Sequence, residues 1–209
     1  MTKPQILIAC EKSQIVTSAF RNKGLKAFSC DIEDCYGNHP EWHIKDDIRN
    51  ILKQDWKMII AFPPCTHLTV SGARWFHKKQ INGEQKTAID FFMLFTDLAC
   101  PHIAIENPVG IMSSKWRKPD QIIQPYEFGD DASKRTCLWL KNLPILIKNP
   151  TNFIKGKTIQ HRGKTLCRWS NQSLSGQNLV GEQKYRSQKR SQTYPGIAKA
   201  MAEQWGSLI

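Results

Sequence analysis

The sequence predicts an α/β fold of the Rossmann-like, doubly wound kind, with a mostly parallel sheet and helices on both faces. Two observations lead to this prediction. Short apolar runs alternate with segments of helical periodicity, and polar or acidic residues directly follow the apolar runs. Ligands of such sheets bind at the carboxyl ends of the strands, so those polar residues are candidate site residues. The 209 residues, 40% of them hydrophobic, suffice for one such domain with a small appendage.

The elements follow in order along the chain. The run from Gln5 to Ala9 predicts a first strand, and Ile15 to Lys23 predicts a helix that Gly24 ends. The same patterns predict three further strands at 25–30, 58–62 and 103–105, and two further helices at 84–99 and 194–205. We therefore divide the chain into a core at 1–147, a small insert at 148–192 and a C-terminal helix that returns to the core at 193–209.

The insert at 148–192 is predicted to form loops or a short irregular subdomain, because Gly, Asn, Gln, Ser and basic residues replace the apolar periodicity. It also holds most of the charge. The chain carries a formal charge of +12 and has a pI near 9.5. The insert contains ten Lys or Arg residues, opposed only by Glu182, so its formal charge is +9. This concentration favours a surface that binds a polyanion, most simply nucleic acid, over a generally solubilising charge.

Seven cysteines, an odd number, predict thiols in a reducing cytoplasm rather than a disulfide framework. The first residues lack the plan of a signal peptide, and no apolar run approaches the ~20 residues that a membrane helix needs. We therefore expect a cytoplasmic protein without a membrane partner. A zinc site drawn from Cys30, Cys35, His39 and His43 is a weaker alternative, since the chain has no CxxC pair. We expect no metal.

The pentapeptide from Phe62 to Thr66 is the most informative motif. It follows a predicted buried strand, and its two prolines restrict the backbone directly before Cys65. Small and polar residues follow as far as Gly72, as in a loop that is open to a ligand. This setting favours a nucleophilic Cys65 over a structural thiol, which is the commoner role of cysteine.

Glu106 ends the apolar run at 103–105 and is followed by Asn107 and Pro108. A carboxylic acid there complements the thiol of Cys65 if the substrate is a cytosine. Addition of a thiolate to C6 makes C5 nucleophilic, and an acid that protonates N3 eases this addition. The pair therefore predicts a covalent methyltransferase acting on C5 of cytosine. The alternative for Glu106 is a helix-capping or surface glutamate.

These motifs resemble those of the DNA (cytosine-5) methyltransferases, in the short form common among phage and prophage proteins. Pro64-Cys65 matches the Pro-Cys motif of the family, and Glu106-Asn107-Pro108 matches its Glu-Asn-Val motif, with proline in place of valine. Arg135 is a weak match to the Gln-x-Arg-x-Arg motif, which implies that it contacts the cytosine. The matches occur in the order of the family from Ile6 to about Trp205 and imply its S-adenosylmethionine-dependent methyltransferase fold. They also imply a bacterial or phage-infected host cell.

The resemblance implies S-adenosylmethionine as cofactor. Asp31 would hold the ribose, Ile32 would pack on the adenine, and Asp47 would lie near the adenine. The implied cofactor-binding set is Ala9, Glu11, Ser13, Asp31, Ile32, Asp47, Pro64, Ser191 and Thr193. The first loop departs from the family, because residues 9–13 read Ala-Cys-Glu-Lys-Ser where the family is glycine-rich.

The implied partner is double-stranded DNA, from which the target base must leave the stack. The predicted contacts combine the loop after Cys65 with the basic insert. They are Thr69, Ser71, Arg74, Arg162, Lys164, Arg168, Lys184, Arg186, Lys189 and Arg190.

Three other classes stay open. A nucleic-acid-binding protein that kept the fold and lost catalysis is favoured by the altered first loop. A DNA amino-methyltransferase has Pro-Pro at a similar strand end, but between a polar and an aromatic residue that this chain lacks. A thymidylate-synthase-like enzyme has His directly after Pro-Pro-Cys, whereas His67 comes one residue later. The sequence leaves the recognition site, the choice between DNA and RNA, and the oligomeric state open.

Overall fold

The computed structural model describes residues 5–179 and 191–209. One sheet of seven strands organises these residues. Its strands are β1 (Ile6–Ala9), β2 (Ala27–Asp31), β3 (His43–Lys45), β4 (Met58–Ala61), β5 (His102–Pro108), β6 (Gln121–Ile123) and β7 (Thr136–Lys141). Their spatial order is β3-β2-β1-β4-β5-β7-β6.

The pairs β3/β2, β2/β1, β1/β4 and β4/β5 are parallel, whereas β7 is antiparallel to both β5 and β6. Between β1 and β4 the strand order reverses direction, which makes this pair the topological switch point. A crevice for a ligand opens at such a point, beyond the carboxyl ends of the strands. The loops that follow Ala9 and Ala61, paired in register, border it directly.

Helices cover both faces of the sheet. On one face α1 (Ile15–Arg21) and a C-terminal helix pack on Ile6 and Ile8. On the other face α2 (Ile48–Ile51) and α4 (Glu84–Met93) pack on the alternate residues Leu7 and Ala9. Two short helices, α3 (Phe76–Ile81) and α5 (Met112–Lys115), precede α4 and follow β5, and the C-terminal helix is α6 (Pro195–Trp205). The predicted Rossmann-like α/β fold, with a mostly parallel sheet between two helical layers, is confirmed.

Several boundaries differ from the prediction. The helix expected at 84–99 ends at Met93, because the next amides bond three residues back and the Thr96 hydroxyl donates to the Met93 carbonyl, which tightens the chain into a turn. The strand expected at 103–105 runs from His102 to Pro108, because β7 pairs along its whole length. Strands β3, β6 and β7 were not predicted. Strands β3 and β6 have only three residues each and lack a clear apolar run, whereas β7 contains the apolar run 137–140, a signal that could have predicted it.

The prediction of irregular structure for 148–192 is wrong between 157 and 168. Strands β8 (Lys157–His161) and β9 (Lys164–Arg168) form an antiparallel hairpin that is a sheet of its own. Arg162 and Gly163 connect them with φ angles of 50° and 72°. Two successive positive φ angles define the turn that suits a two-residue hairpin. The sequence pattern predicts these two strands only weakly, because the hairpin has polar side chains on both faces.

A close backbone contact holds α6 against the rest of the domain. The amide of Gly196 donates to the Asp130 carboxylate at 2.9 Å, and Trp205 is fully buried at the other end of the helix. A Cβ at position 196 would lie 2.0 Å from the carbonyl oxygen of Phe128. Only glycine fits such an approach. No helix among the described residues is long and apolar enough to cross a membrane.

Replacing Gly196 with alanine should therefore destabilise the protein by about 1–3 kcal/mol, because the added methyl group has to displace backbone atoms of the 125–130 turn. Urea unfolding followed by circular dichroism measures the change. Lys199→Ala, at an exposed position of the same helix, is the control and should leave the midpoint unchanged. Equal midpoints for Gly196→Ala and the wild type would contradict the tight docking.

Candidate active site

The loop that carries Cys65 leaves the sheet at the switch point. The amide of Phe62 donates to the carbonyl of Ala9 at 2.9 Å, which is the last contact of this loop with β1. Pro63 is buried, Pro64 is exposed, and Cys65 is partly exposed. The amides of the third and fourth residues after Cys65 both donate to the Cys65 carbonyl at 3.0 Å, so the chain turns sharply there. This turn holds the thiol at the edge of the crevice rather than in the core.

A buried side chain ties this loop to β5. The Nδ2 of Asn107 donates to the carbonyl of Pro63 at 2.8 Å, and Asn107 is only 1% exposed. The Oδ1 of Asn107 is buried and has no hydrogen-bond partner among the described residues. A buried acceptor without a partner costs free energy. We therefore include Asn107, with its hydrogen bond to Pro63, in the candidate site.

The chain after Cys65 also packs on the chain after Glu106. The amide of Ile111 donates to the Leu68 carbonyl at 2.9 Å, and the amide of Val70 donates to the Val109 carbonyl at 3.1 Å. A Cβ on Gly110 would lie 2.2 Å from the Leu68 oxygen, so the two backbones meet at a distance that only glycine permits. The two motifs predicted from the sequence are therefore joined by backbone and side-chain hydrogen bonds at one edge of the sheet.

Glu106 lies inside β5, opposite Leu138 of β7, and not at a strand end as predicted. The reason is the pairing with β7, which extends the strand to Pro108. Glu106 is 8% exposed, and burial raises the pKa of its carboxyl group. The positive charge of Lys134 and a hydrogen bond with the Thr136 side chain oppose this effect without cancelling it. Such a shift favours the neutral acid.

Arg135, the third predicted catalytic residue, is exposed directly before β7. Burial raises the pKa of the Cys137 thiol, and the charge of Arg135 opposes this effect. Its neighbours Lys134 and Thr136 instead oppose the rise in the pKa of Glu106. Contact of Arg135 with a cytosine stays a prediction. Sequence reasoning missed Lys134 and Thr136, although the alternation of side chains along a strand places every second residue on the same face.

At the other side of the switch point, Asp31 ends β2 and accepts a hydrogen bond from the Glu33 amide at 3.1 Å. Asp47 caps α2 by accepting from the Arg49 amide at 2.9 Å, and this bond lowers the pKa of Asp47. Burial raises the pKa of the Cys10 thiol, and the charges of Asp31 and Asp47 raise it further. Both carboxylates therefore lie near the carboxyl end of β1.

Ile32 follows Asp31 and is 69% exposed. An apolar ring packed on Ile32 would cover it, while the carboxylate of Asp31 would reach hydroxyl groups at the ring's edge. Contact of Asp31 with a ribose and of Ile32 with an adenine stays a prediction.

The loop after β1 is organised by a buried carboxylate instead of glycines. Glu11 is 5% exposed and accepts from the amides of Val16 at 2.7 Å and Thr17 at 3.1 Å, and from the Thr17 hydroxyl at 2.6 Å. The Ser13 hydroxyl adds a fourth bond at 3.2 Å. The first amides of α1 are thus already satisfied within the chain. Contact between the Glu11 carboxylate and a cofactor stays a prediction.

The remaining predicted cofactor residues are spread around this edge. Ala9 is buried in β1, Ser191 is exposed, and Thr193 is 9% exposed just before α6. Ser13 lines a cleft of about 800 Å³ between α1 and α6. Neither Cys65 nor Glu106 borders that cleft, so we do not identify it with the site of chemistry.

The predicted nucleic-acid contacts fall into three groups. Thr69 is half-buried beside Val109, and the exposed guanidinium of Arg74 lies 5.1 Å from the ring centre of Trp75, within the 3₁₀ helix Val70–Trp75 that also contains Ser71. Arg162 and Lys164 are exposed on the hairpin, but Arg168 is half-buried and donates to the Leu174 carbonyl at 3.1 Å. Lys184, Arg186, Lys189 and Arg190 lie outside the described residues.

The hairpin is anchored beside Glu106. Asn171 exchanges two hydrogen bonds with the backbone of Ser133, at 2.9 and 3.0 Å. Trp169 stacks on Tyr126 with ring centres 4.2 Å apart. Because Ser133 lies three residues before Thr136, the base of the hairpin is within about 10 Å of chain from the residue that bonds Glu106.

Within residues 5–179 and 191–209, no group of three or more His, Cys, Asp or Glu side chains is arranged to hold a metal ion. The residues of the alternative zinc site, Cys30, Cys35, His39 and His43, therefore form no such group.

No protein-family model and no curated protein sequence match the chain. Among solved structures, one similar chain is described as a candidate DNA modification methyltransferase encoded within a prophage of E. coli. The two chains are 14% identical with a TM-score of 0.42, and the match covers 66% of this chain and 46% of that chain. The chain thus spans less than half of the length of that protein, and a likeness of this size carries no argument about function.

The raised pKa of Glu106 leads to a prediction about stability. A carboxyl group whose pKa rises on folding stabilises the fold while it is protonated, and this contribution is lost as the pH rises through the raised pKa. Glu106→Gln mimics the neutral acid. We expect its free energy of unfolding to match that of the wild type below the pKa of an ordinary glutamic acid and to exceed it as the pH rises above that value.

Urea unfolding at a series of pH values tests this expectation. Glu203→Gln, at an exposed position on α6, serves as the matched control and should follow the wild type throughout. A constant difference between Glu106→Gln and the wild type at every pH would rule out a raised pKa.

Proposed function

We propose that the protein is a DNA (cytosine-5) methyltransferase, which transfers a methyl group from S-adenosylmethionine to C5 of a cytosine through a covalent bond between Cys65 and C6. The observation that supports this most is the hydrogen bond from the buried Asn107 to Pro63. It couples the loop of a partly exposed cysteine to the strand of a buried acid. These are the two groups that chemistry at C5 requires.

The reaction assigns one role to each group. The Cys65 thiolate adds to C6, a sulfur–carbon bond forms, and the π electrons of the C5–C6 bond move towards C5. C5 then attacks the methyl group, whose bond to the sulfonium sulfur breaks, so the spent cofactor leaves as a thioether. The C5 proton passes to solvent, the thiolate leaves C6, and the proton on N3 returns to Glu106, which restores the aromatic ring and both side chains.

Glu106 acts as the acid that N3 of the cytosine needs. Burial raises the pKa of Glu106, so the neutral form persists to higher pH than for an exposed carboxyl group. The nearby charge of Lys134 then stabilises the carboxylate that remains once the proton has passed to N3. A carboxyl group in this role also recognises cytosine, since it donates to N3 and accepts from the exocyclic amine.

The residues at the carboxyl ends of β1 and β2 would hold the cofactor. Asp31 would bond the ribose hydroxyls, Ile32 would cover one face of the adenine, and Asp47 would lie at the edge of the ring. S-adenosylmethionine supplies an electrophilic methyl group there. Glu11 has a supporting role in this scheme, because it fixes the loop beneath the cofactor by capping α1.

Double-stranded DNA is the proposed substrate, and 148–192 is the proposed recognition insert on a core of 1–147, with 193–209 closing the core. The charge of +9 in 148–192 supports this assignment, because phosphate neutralisation supplies most of the affinity for DNA. The proposed setting is the cytoplasm of a bacterium or of a phage-infected host.

The second candidate is a DNA-binding protein with this fold and no catalysis. One observation favours it, namely that Glu11 occupies the first amides of α1 where the family has a glycine-rich loop. Calorimetry with S-adenosylmethionine separates the two candidates, since only the enzyme has to bind the cofactor.

The role of Cys65 predicts a covalent trap. An oligonucleotide with 5-fluorocytosine should become cross-linked to the protein in the presence of cofactor, because fluorine at C5 does not leave as a proton and the adduct stays intact. Cys65→Ser should abolish the shifted band in a denaturing gel, while Cys100→Ser, which changes a thiol just before the amino end of β5, should retain it. Cross-linking by Cys65→Ser would remove Cys65 from the mechanism.

The role of Asp31 predicts a loss of cofactor affinity. Hydrogen bonds to a charged group contribute ~1.5–3 kcal/mol, so Asp31→Ala should weaken binding of S-adenosylmethionine at least about tenfold. Titration calorimetry gives the affinity directly. Asp34→Ala, an exposed carboxylate in the loop after β2, should leave the affinity unchanged. Equal affinities for Asp31→Ala and the wild type would place the cofactor elsewhere.

A further inference from the structure

The two faces of the β8–β9 hairpin differ in chemistry. On one face lie the cross-strand pairs Lys157–Arg168, Ile159–Leu166 and His161–Lys164, which include the half-buried side chains of the hairpin. On the other face lie Thr158–Cys167 and Gln160–Thr165, and all four of these residues are exposed. The solvent face of the hairpin is thus neutral, although the segment around it is the most basic part of the chain.

This neutral face consists of groups that donate and accept hydrogen bonds. Gln160 and Thr165 are already oriented towards each other, since the Gln160 Nε2 donates to the Thr165 Oγ1 at 2.7 Å. This bond occupies one of the two amide N–H groups of Gln160, and the exposed side chain has a second N–H and a carbonyl oxygen to offer. A glutamine amide held in this way matches the N7 acceptor and the N6 donor of adenine.

Basic residues flank the neutral face of the ribbon. Lys157 and Lys164 lie at the two ends of the opposite face, Arg162 lies in the turn, and Lys155 precedes β8. The sequence has no Asp or Glu between Lys148 and Gly181. A basic rim around a neutral hydrogen-bonding centre is complementary to a DNA groove, in which phosphates line the edges and base edges form the floor.

The dimensions agree with this match. A two-stranded ribbon fits the major groove, which is ~12 Å wide, because its strands are ~4.8 Å apart. Strands of five residues span about 17 Å, the length of about five base pairs. The anchoring of the hairpin on Tyr126 and Ser133 places this ribbon next to the strand that interacts with Glu106.

We propose that the solvent face of the β8–β9 ribbon enters the major groove of a DNA duplex, where Gln160, held by Thr165, reads a base edge and the surrounding lysines contact phosphates. This inference rests on the proposed function, because it assumes that the substrate is duplex DNA. It also changes the role of Arg168. The guanidinium of Arg168 bonds backbone carbonyls of residues 167 and 174 and supports the loop there, so it is a structural residue of the ribbon and not a reader of bases.

The test is a binding selection on the full chain with a random library of duplex DNA, followed by sequencing, in a Cys65→Ser background that excludes trapping. The double variant Gln160→Ala/Thr165→Val should lose about tenfold in the affinity ratio between the preferred site and a site with one base pair changed. Its affinity for unrelated duplexes and its salt dependence should stay those of the parent, because no charge is altered.

The matched control is Lys157→Ala/Lys164→Ala on the same ribbon. It should weaken binding to all sequences alike and flatten the slope of log affinity against log salt by up to about 2 units, while the base preference stays the same. An unchanged base preference in the Gln160/Thr165 variant, tighter binding of single-stranded RNA than of duplex DNA, or no DNA binding by the parent chain would overturn the inference.

Failure of the proposed function would give a different experimental result from failure of this inference. Bisulfite sequencing of DNA from cells that express the chain with Cys65 intact reports methylation independently of the binding selection. A base preference that depends on Gln160, without cytosine methylation, supports the ribbon as the reader and refutes the enzyme. Methylation whose sequence context is the same in the Gln160/Thr165 variant supports the enzyme and overturns the inference.

Discussion

The arrangement of the site depends on one buried hydrogen bond, from the Asn107 amide to the Pro63 carbonyl. Strands β4 and β5 are paired as far as Ala61 and Ile105. Beyond that point Pro63 and Pro64 have no N–H to continue the ladder, so the chain has to leave the sheet. The Asn107 side chain supplies the missing link, and the glycine contact at Gly110 adds a second. Together they hold the cysteine loop near the strand of Glu106 without making it part of the core.

The same edge of the sheet uses a buried carboxylate where related folds use glycines. Glu11 satisfies the first amides of α1 from within the chain, so the turn after β1 needs no ligand to complete its hydrogen bonds. This arrangement stabilises the free protein and removes one anion-binding position. In the proposed function, recognition of the cofactor would then depend on the side chains of Asp31 and Ile32, which lie at the end of β2 and directly after it.

In the proposed complex with DNA, affinity and specificity would be divided between different parts of the basic insert. Charged side chains act at long range and on every phosphate alike, so they supply affinity without information about sequence. The neutral face with Gln160 and Thr165 has the opposite properties, since its hydrogen bonds are short and directional. The stacking of Trp169 on Tyr126 connects both functions to the core, because it fixes the base of the hairpin beside the residues that surround Glu106.

The sequence by itself determined the core strands of the sheet, because their continuous apolar runs indicate burial on both faces whatever their neighbours are. It also determined that Cys65 and the Glu106 motif lie at one edge, since parallel strands place their carboxyl ends together. Only the tertiary structure decided that Glu106 lies inside a strand, that burial favours its neutral form, and that 157–168 forms a hairpin. These properties depend on partners distant in sequence, such as β7 and Thr136. Local periodicity carries no information about which strands pair or how much water a pairing excludes.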